Sequence, residues 1–333
     1  MERGVSLDWS GQTVLVTGAD GFIGSHLTER LVAIGAKTRA LVQYNSFGSW
    51  GWLGESPSRE ELEVFLGDVR DSDSLRAPMR GVDVVFHLAA LIAIPYSYQA
   101  PRSYLDTNAT GTLNVLSAAL SADARRVVHT STSEVYGTAR FVPISEAHPL
   151  QAQSPYSASK IAGDKIAEAF HRCFGLPVAT LRPFNTYGPR QSARAVIPTI
   201  VTQLLVGETV ELGNLEPTRD FTYVSDTVDG FLAIAGCDDA IGEVVNLGSQ
   251  REISIGDLVT LIARRLDRDA VIVGAPERVR PPASEVDRLC ADASRAKALL
   301  GWEPETSLES GLRETIRWLA ENLDRYKLGT FAV

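Results

Sequence analysis

Cysteine is scarce in this chain: Cys173, Cys237 and Cys290 are the only three in 333 residues. They form no CxxC pair and no cluster with the five histidines, which excludes a disulfide framework and gives no metal-ligand pattern. Isolated thiols suit a reducing compartment. Long apolar runs are missing as well. No stretch approaches the ~20 residues that a membrane span needs, and Met1 to Ser10 lack the apolar core of a signal peptide. A cytoplasmic protein without a membrane partner is the expectation. Positive charge is the third shortage: 32 Lys and Arg stand against 41 Asp and Glu, a net charge of −9. Phosphate backbones demand a basic footprint, so nucleic acid is excluded as the main partner. A few local arginines and backbone N–H groups can still hold an anionic nucleotide.

What is present is an ordinary globular composition, 44% hydrophobic and 22% charged, in a chain long enough for a large domain and a smaller companion. The β-branched run Thr13-Val14-Leu15-Val16-Thr17 predicts a buried strand, followed by a glycine-rich turn and a helix over 22–34 in which Phe22, Ile23, Leu27, Leu31 and Ile34 recur near the 3.6 period. A second strand over 38–42 completes a βαβ unit. The alternation continues with strands at 62–66, 82–88, 126–131 and 178–181, and helices at 71–79, 104–119 and 155–174. This rhythm predicts an α/β fold with a doubly wound parallel Rossmann sheet covered on both faces. After Pro183 the beat loosens into helices at 197–205, 255–266 and 308–323 among short strands and proline-rich connections. We expect a dinucleotide-binding domain over 1–185 and a smaller C-terminal α/β substrate lobe over 186–333, with a segment near 224–250 returning to the first domain.

The turn Gly18-Ala19-Asp20-Gly21-Phe22-Ile23-Gly24 lies between strand and helix. Its glycines permit a tight turn, close approach to a pyrophosphate and close helix–strand packing, while the helix N-terminus offers N–H groups and the positive end of its dipole. Gly18, Gly21, Phe22, Ile23 and Gly24 are therefore candidate cofactor contacts. Tyr156-Ser157-Ala158-Ser159-Lys160 opens a helix with phenol and ammonium on one face. A neighbouring cation favours phenolate and lowers the tyrosine pKa, so Tyr156 can take a hydroxyl proton while hydride leaves the same carbon.

The GxxGxxG spacing with YxxxK resembles the extended short-chain dehydrogenase/reductases, and the resemblance runs along essentially the whole chain. It implies an adenine contact at Asp68 and Val69, a cofactor-lining strand end at Leu88, Ala89 and Ala90, and a central helix asparagine at Asn108. One departure is plain. After the second strand the sequence reads Gln43-Tyr44-Asn45-Ser46, with neither the acid that grips ribose hydroxyls nor an arginine for a 2′-phosphate. Tyr44, Asn45 and Ser46 are the candidates there, Asn45 or Ser46 able to bond either ribose form. NAD is favoured, with NADP the alternative.

The resemblance also implies cofactor contacts at Thr130, Pro183 and Asn185, a catalytic hydroxyl at Thr132, and substrate contacts at Ile94, Thr132, Asn185, Val196, Arg219 and Arg280. Guanidinium forks suit a diphosphate; structural ion pairs are the competing use for each arginine. The run Thr132-Ser133-Glu134 is similar to that of GDP-mannose 4,6-dehydratases and retaining N-acetylglucosamine 4,6-dehydratases. With Ser133 in place of an aspartic acid, Glu134 is implied to handle both the C5 proton and the departing C6 hydroxyl. The stretches 44–53, 94–98 and 280–289 resemble the retaining nucleotide-activated N-acetylglucosamine dehydratases, including the type found in legionaminic-acid pathways. Trp50 and Trp52 serve there either as packing anchors or beside the adenine. The expected function is a 4,6-dehydratase acting on UDP- or GDP-N-acetylglucosamine through bound NAD(P). Decarboxylation of UDP-glucuronate, 4-epimerisation of a UDP-hexose and a non-catalytic cofactor sensor are the alternatives. Relatives dimerise through helices equivalent to 104–119 and 155–174, so a homodimer is expected.

Overall fold

A computed structural model describes residues 8–326. Six strands come first: β1 (Thr13–Thr17), β2 (Lys37–Gln43), β3 (Glu63–Gly67), β4 (Val84–His87), β5 (Arg126–Thr130) and β6 (Val178–Pro183). The chain then crosses into a second lobe with β7 (Asn185–Tyr187), β8 (Thr209–Leu212) and β9 (Thr218–Tyr223). It returns with β10 (Val244–Leu247) before ending in the lobe with β11 (Glu252–Ser254) and β12 (Val271–Gly274). The main sheet has the order β10-β6-β5-β4-β1-β2-β3, and every pair in it is parallel. This is a Rossmann-like sheet.

Alternation along each strand builds two cores. Val14 and Val16 point to one face with Ala40, Val42 and Phe86, where the helices Phe22–Ala33 and Val224–Gly236 supply Leu27, Leu31, Phe231 and Ile234. Leu15, Leu41 and Val85 point to the other, under Val115 and Leu116 of the helix Gly111–Ser121 and Ala167 and Phe170 of the helix Pro155–Phe174. Sheets covered this way carry near-continuous apolar strands, as β1 does. Because strand order reverses between β1 and β4, a crevice opens at their carboxyl ends, where such sheets bind ligands.

The second lobe has its own core around Ile200, Leu204, Leu258, Ile262, Leu312 and Leu319. It holds a three-stranded sheet, β11-β9-β7, and a parallel β8–β12 pair. Among the described residues no helix is long and apolar enough to cross a membrane.

Two expected helices differ. Over 71–79 the chain makes a 3₁₀ turn, Asp73–Leu75, and only one α-turn, Arg76–Met79. Pro78 supplies no N–H there and Gly81 turns the chain back at φ +64°. The stretch expected at 104–119 consists of a helix Pro101–Tyr104, a π-helical segment Leu105–Thr110 and the helix Gly111–Ser121. Wide turns of this kind are local and often sit at functional sites; here the widened segment carries Asn108.

Candidate active site

The cofactor crevice starts at Gly18, where φ is +69° and an added Cβ would lie 2.8 Å from the Ala89 backbone. At Gly24 a Cβ would come within 2.1 Å of the Gly18 carbonyl oxygen. Only glycine permits this approach between turn, helix and the end of β4. Gly21 caps the helix Phe22–Ala33, and no side chain satisfies the first-turn N–H groups. Those groups and the helix dipole form a cradle that fits a pyrophosphate.

At the adenosine end, the Asp68 carboxylate accepts from Arg70 Nε at 3.0 Å, and this pairing holds its pKa below the usual carboxylate range. Val69 is buried beneath the helix Gly111–Ser121. Tyr44 (69% exposed) and Ser46 lie in the open loop after β2. Asn45 differs from the expectation. Its Nδ2 donates to the Gln43 and Ser49 carbonyls at 3.2 and 2.8 Å, and its Oδ1 accepts from Phe47 and Ser49 N–H at 3.2 and 3.1 Å. The carboxamide is saturated within its own loop, so Asn45 builds the turn and has no polar atom left for a ribose. Trp52 is a packing anchor, its ring 5.4 Å from Trp318 in the other lobe.

At the nicotinamide end, Leu88, Ala89 and Ala90 leave β4 half-buried, and Ala89 N–H donates to Thr17 Oγ1 at 3.2 Å. Asn108 is engaged by protein groups. Its Oδ1 accepts from Leu91 N–H, and its Nδ2 donates to the Leu91 carbonyl and Ser159 Oγ, each at 2.9 Å. Buried, it pins the loop after β4 to the helix Pro155–Phe174.

That helix is fixed by Ser154, whose Oγ accepts from Ser157 N–H at 3.1 Å in a capping box ahead of Pro155. It places Tyr156 and Lys160 on one buried face, 7% and 4% exposed. Burial pushes the Lys160 ammonium down to about 8, with Asp164 opposing. Its Nζ donates to the Thr130 carbonyl at 2.6 Å. The Tyr156 phenol, expected to be lowered, is instead raised: burial outweighs the hydrogen bond from Thr132, and the Glu134 charge adds to the rise.

Thr132 caps the short turn Ser133–Tyr136, accepting from Glu134 N–H at 3.2 Å, while Ser133 is buried. The Glu134 carboxylate is half-buried, and among the described residues no guanidinium or ammonium pairs with it directly. Its charge acts both on Tyr156 and on Arg219 of the second lobe. Ile94 packs against Tyr104 and Tyr156. Arg219 and Arg280 share one carboxylate, each 3.7 Å from Glu285. The charges of Glu134, Glu285 and Asp287 all act on Arg219, opposing its burial and the repulsion from Arg280. Asn185 opens β7 after Pro183 and Phe184, with Nδ2 3.4 Å from the Asp220 carbonyl. Val196 opens the helix Val196–Val206 and packs against the lobe core.

Sequence reasoning missed a buried charge network beneath Lys160. Asp164 accepts from Ser131 Oγ at 2.8 Å and Arg182 Nη2 at 2.8 Å, and lies 3.0 Å from His129 Nε2. These partners hold the Asp164 carboxyl at about 2 against its burial. The available signal was the i, i+4, i+8 spacing of Tyr156, Lys160 and Asp164. Glu285 was missed too, although it lies inside the stretch 280–289.

A family model described as GDP-mannose 4,6 dehydratase matches residues 15–315. The chain belongs to the extended short-chain dehydrogenase/reductase family. It is 35% identical to a UDP-glucose 4-epimerase of Mycolicibacterium smegmatis, over 91% of this chain and 97% of that protein. It is 33% identical to a UDP-N-acetyl-alpha-D-glucosaminuronate decarboxylase of Bacillus cytotoxicus, over 92% and 97%. The crystal structure of a dTDP-glucose 4,6-dehydratase from Streptomyces venezuelae with NAD bound is similar at a TM-score of 0.87 and 32% identity, covering 95% of this chain and 99% of that one. Members of this family thus carry out three outcomes on sugar nucleotides within one fold.

Proposed function

We propose that this protein is an NAD-dependent 4,6-dehydratase of a nucleoside-diphosphate hexose, with UDP- or GDP-N-acetylglucosamine the favoured substrate. The observation that carries the reading is the half-buried Glu134 carboxylate, without an ion-pair partner among the described residues and with its charge acting on Tyr156. A 4-epimerase has no use for a base in that place. Tyr156, whose phenol Thr132 acts on, takes the proton from O4. Bound NAD supplies the hydride sink and source that makes C4 a ketone and later reduces C6. The ketone acidifies C5–H; Glu134 removes that proton and gives it to the departing C6 hydroxyl, which leaves as water. Once C6 is reduced, a solvent proton returns to C5 from the same face while Tyr156 releases the O4 proton to solvent. Arg219 and Arg280 hold the diphosphate from the lobe side, their shared Glu285 keeping both forks aligned. The resemblance of 44–53 and 280–289 to N-acetylglucosamine dehydratases supports the sugar assignment.

A panel of UDP- and GDP-N-acetylglucosamine, dTDP-glucose and UDP-glucuronate, read by product mass, tests this. One water is lost from an N-acetylglucosamine nucleotide with no net change in cofactor. Loss of carbon dioxide from the glucuronate, without dehydration elsewhere, replaces the reading with decarboxylation. We also propose a homodimer built on the helices at 101–121 and 155–174, where Leu105, Leu113 and Phe174 are exposed apolar residues; sedimentation measures it.

A further inference from the structure

The end of β2 has no acid, and Asn45 is closed off by its own loop, so the adenosine ribose lacks its usual partner on that strand. The Asp68 carboxylate after β3 is taken by Arg70, and a second carboxylate reaches this end of the sheet from the glycine turn. Asp20 lies between Gly18 and Gly21, in a turn fastened to β2 by Gly18 N–H and Ala19 N–H donating to the Leu41 carbonyl at 3.1 and 3.4 Å. The Gln43 amide at the end of β2 is among the groups that act on its carboxyl. The loop beyond β2 folds back over it, Trp52 N–H donating to the Asp20 carbonyl at 3.2 Å. Burial raises the Asp20 pKa, opposed only by the amides of Asp20 and Gln43; no cation is among the groups acting on it. The nearby Arg59 is turned onto the Trp50 ring, 4.9 Å from its centre, and donates to the Gly54 carbonyl at 3.3 Å.

We propose that Asp20 selects the cofactor, its carboxylate reaching the end of β2 from the glycine turn to accept from the adenosine ribose hydroxyls and exclude a ribose carrying a 2′-phosphate. A vicinal diol can donate to both carboxylate oxygens. A 2′-phosphate offers only acceptors and about two negative charges, in a half-buried corner where water screens weakly. The chain therefore replaces the missing strand acid with one supplied by the turn. This rests on the cofactor part of the reading above, and not on which sugar reaction follows.

The test is direct titration of the wild-type protein, Asp20→Asn and Asp20→Ser with NADH and with NADPH, read by energy transfer from tryptophan to the reduced nicotinamide. Mass identification of nucleotide released from freshly purified protein accompanies it. The wild type binds NADH roughly a hundredfold or more tighter than NADPH, and each folded variant narrows that ratio to about tenfold or less, chiefly because NADPH tightens. An unchanged ratio in variants that melt like the wild type overturns the role of Asp20 and leaves the cofactor reading standing. A wild type that binds neither nucleotide overturns both.

Discussion

The two ends of the cofactor crevice are built in opposite ways. At the nicotinamide end Tyr156, Lys160 and Asp164 line one face of a single long helix, buried and tied to β5 and β6 by Thr130, Ser131, His129 and Arg182. At the adenosine end an exposed loop holds its own shape through Asn45 and leans on the substrate lobe through Trp52 and Trp318. Proton transfer needs fixed groups with shifted titration, and burial supplies both. Holding the adenosine needs only a shaped edge, which a loop can provide. Damage at the first end should therefore remove chemistry or stability, and damage at the second should weaken binding alone.

The largest effect is expected from Tyr156→Phe, which deletes the O4 base: turnover falls by about 10²–10⁴ at unchanged melting temperature. Asp164→Asn leaves Arg182 buried beside a neutral partner and costs about 3–5 kcal/mol in denaturant unfolding. The same carboxylate gives a pH signature. Its folded pKa of about 2 lies below the unfolded value of about 3.9, so its stabilisation is present above pH ~4 and is lost as pH falls through 2. An Asp164→Asn protein with a wild-type acid-unfolding midpoint contradicts this.

Smaller effects separate the two ends further. The Lys160 ammonium is held at about 8, so kcat/KM declines as pH rises through that value and the charge is lost. A flat profile to pH 10 removes Lys160 from the reaction. Trp52→Ala unpacks the loop from the lobe and weakens NADH binding by roughly tenfold, about 1.4 kcal/mol. Turnover at saturating cofactor stays as in wild type; a collapse of turnover there erases the distinction between the ends.

The contrast also explains what the sequence made legible. The glycine turn and Tyr156–Lys160 are local patterns whose meaning is set within one turn of chain, and they pointed to the crevice before any coordinates. The helix Pro155–Phe174 was readable to the residue because Ser154 and Pro155 mark its start and Gly175 its end. The bonding of Asn45 and Asn108 was not legible because a carboxamide's partners lie in folded backbone, at Ser49 in one case and Leu91 in the other. Asp164, Arg182 and Glu285 escaped because their pairing joins elements far apart in the chain. The π-helical segment at Leu105–Thr110 leaves no periodic trace over six residues.

The most direct test of the catalytic claim is Glu134→Gln followed through a single turnover in deuterium oxide with the substrate found by the mass panel. The account predicts slow appearance of reduced nicotinamide absorbance, no dehydrated product and no deuterium at C5, because the C4 ketone forms and its neighbouring proton has no acceptor. Wild-type rates of water loss from that variant, with C5 labelled as in the parent, contradict it.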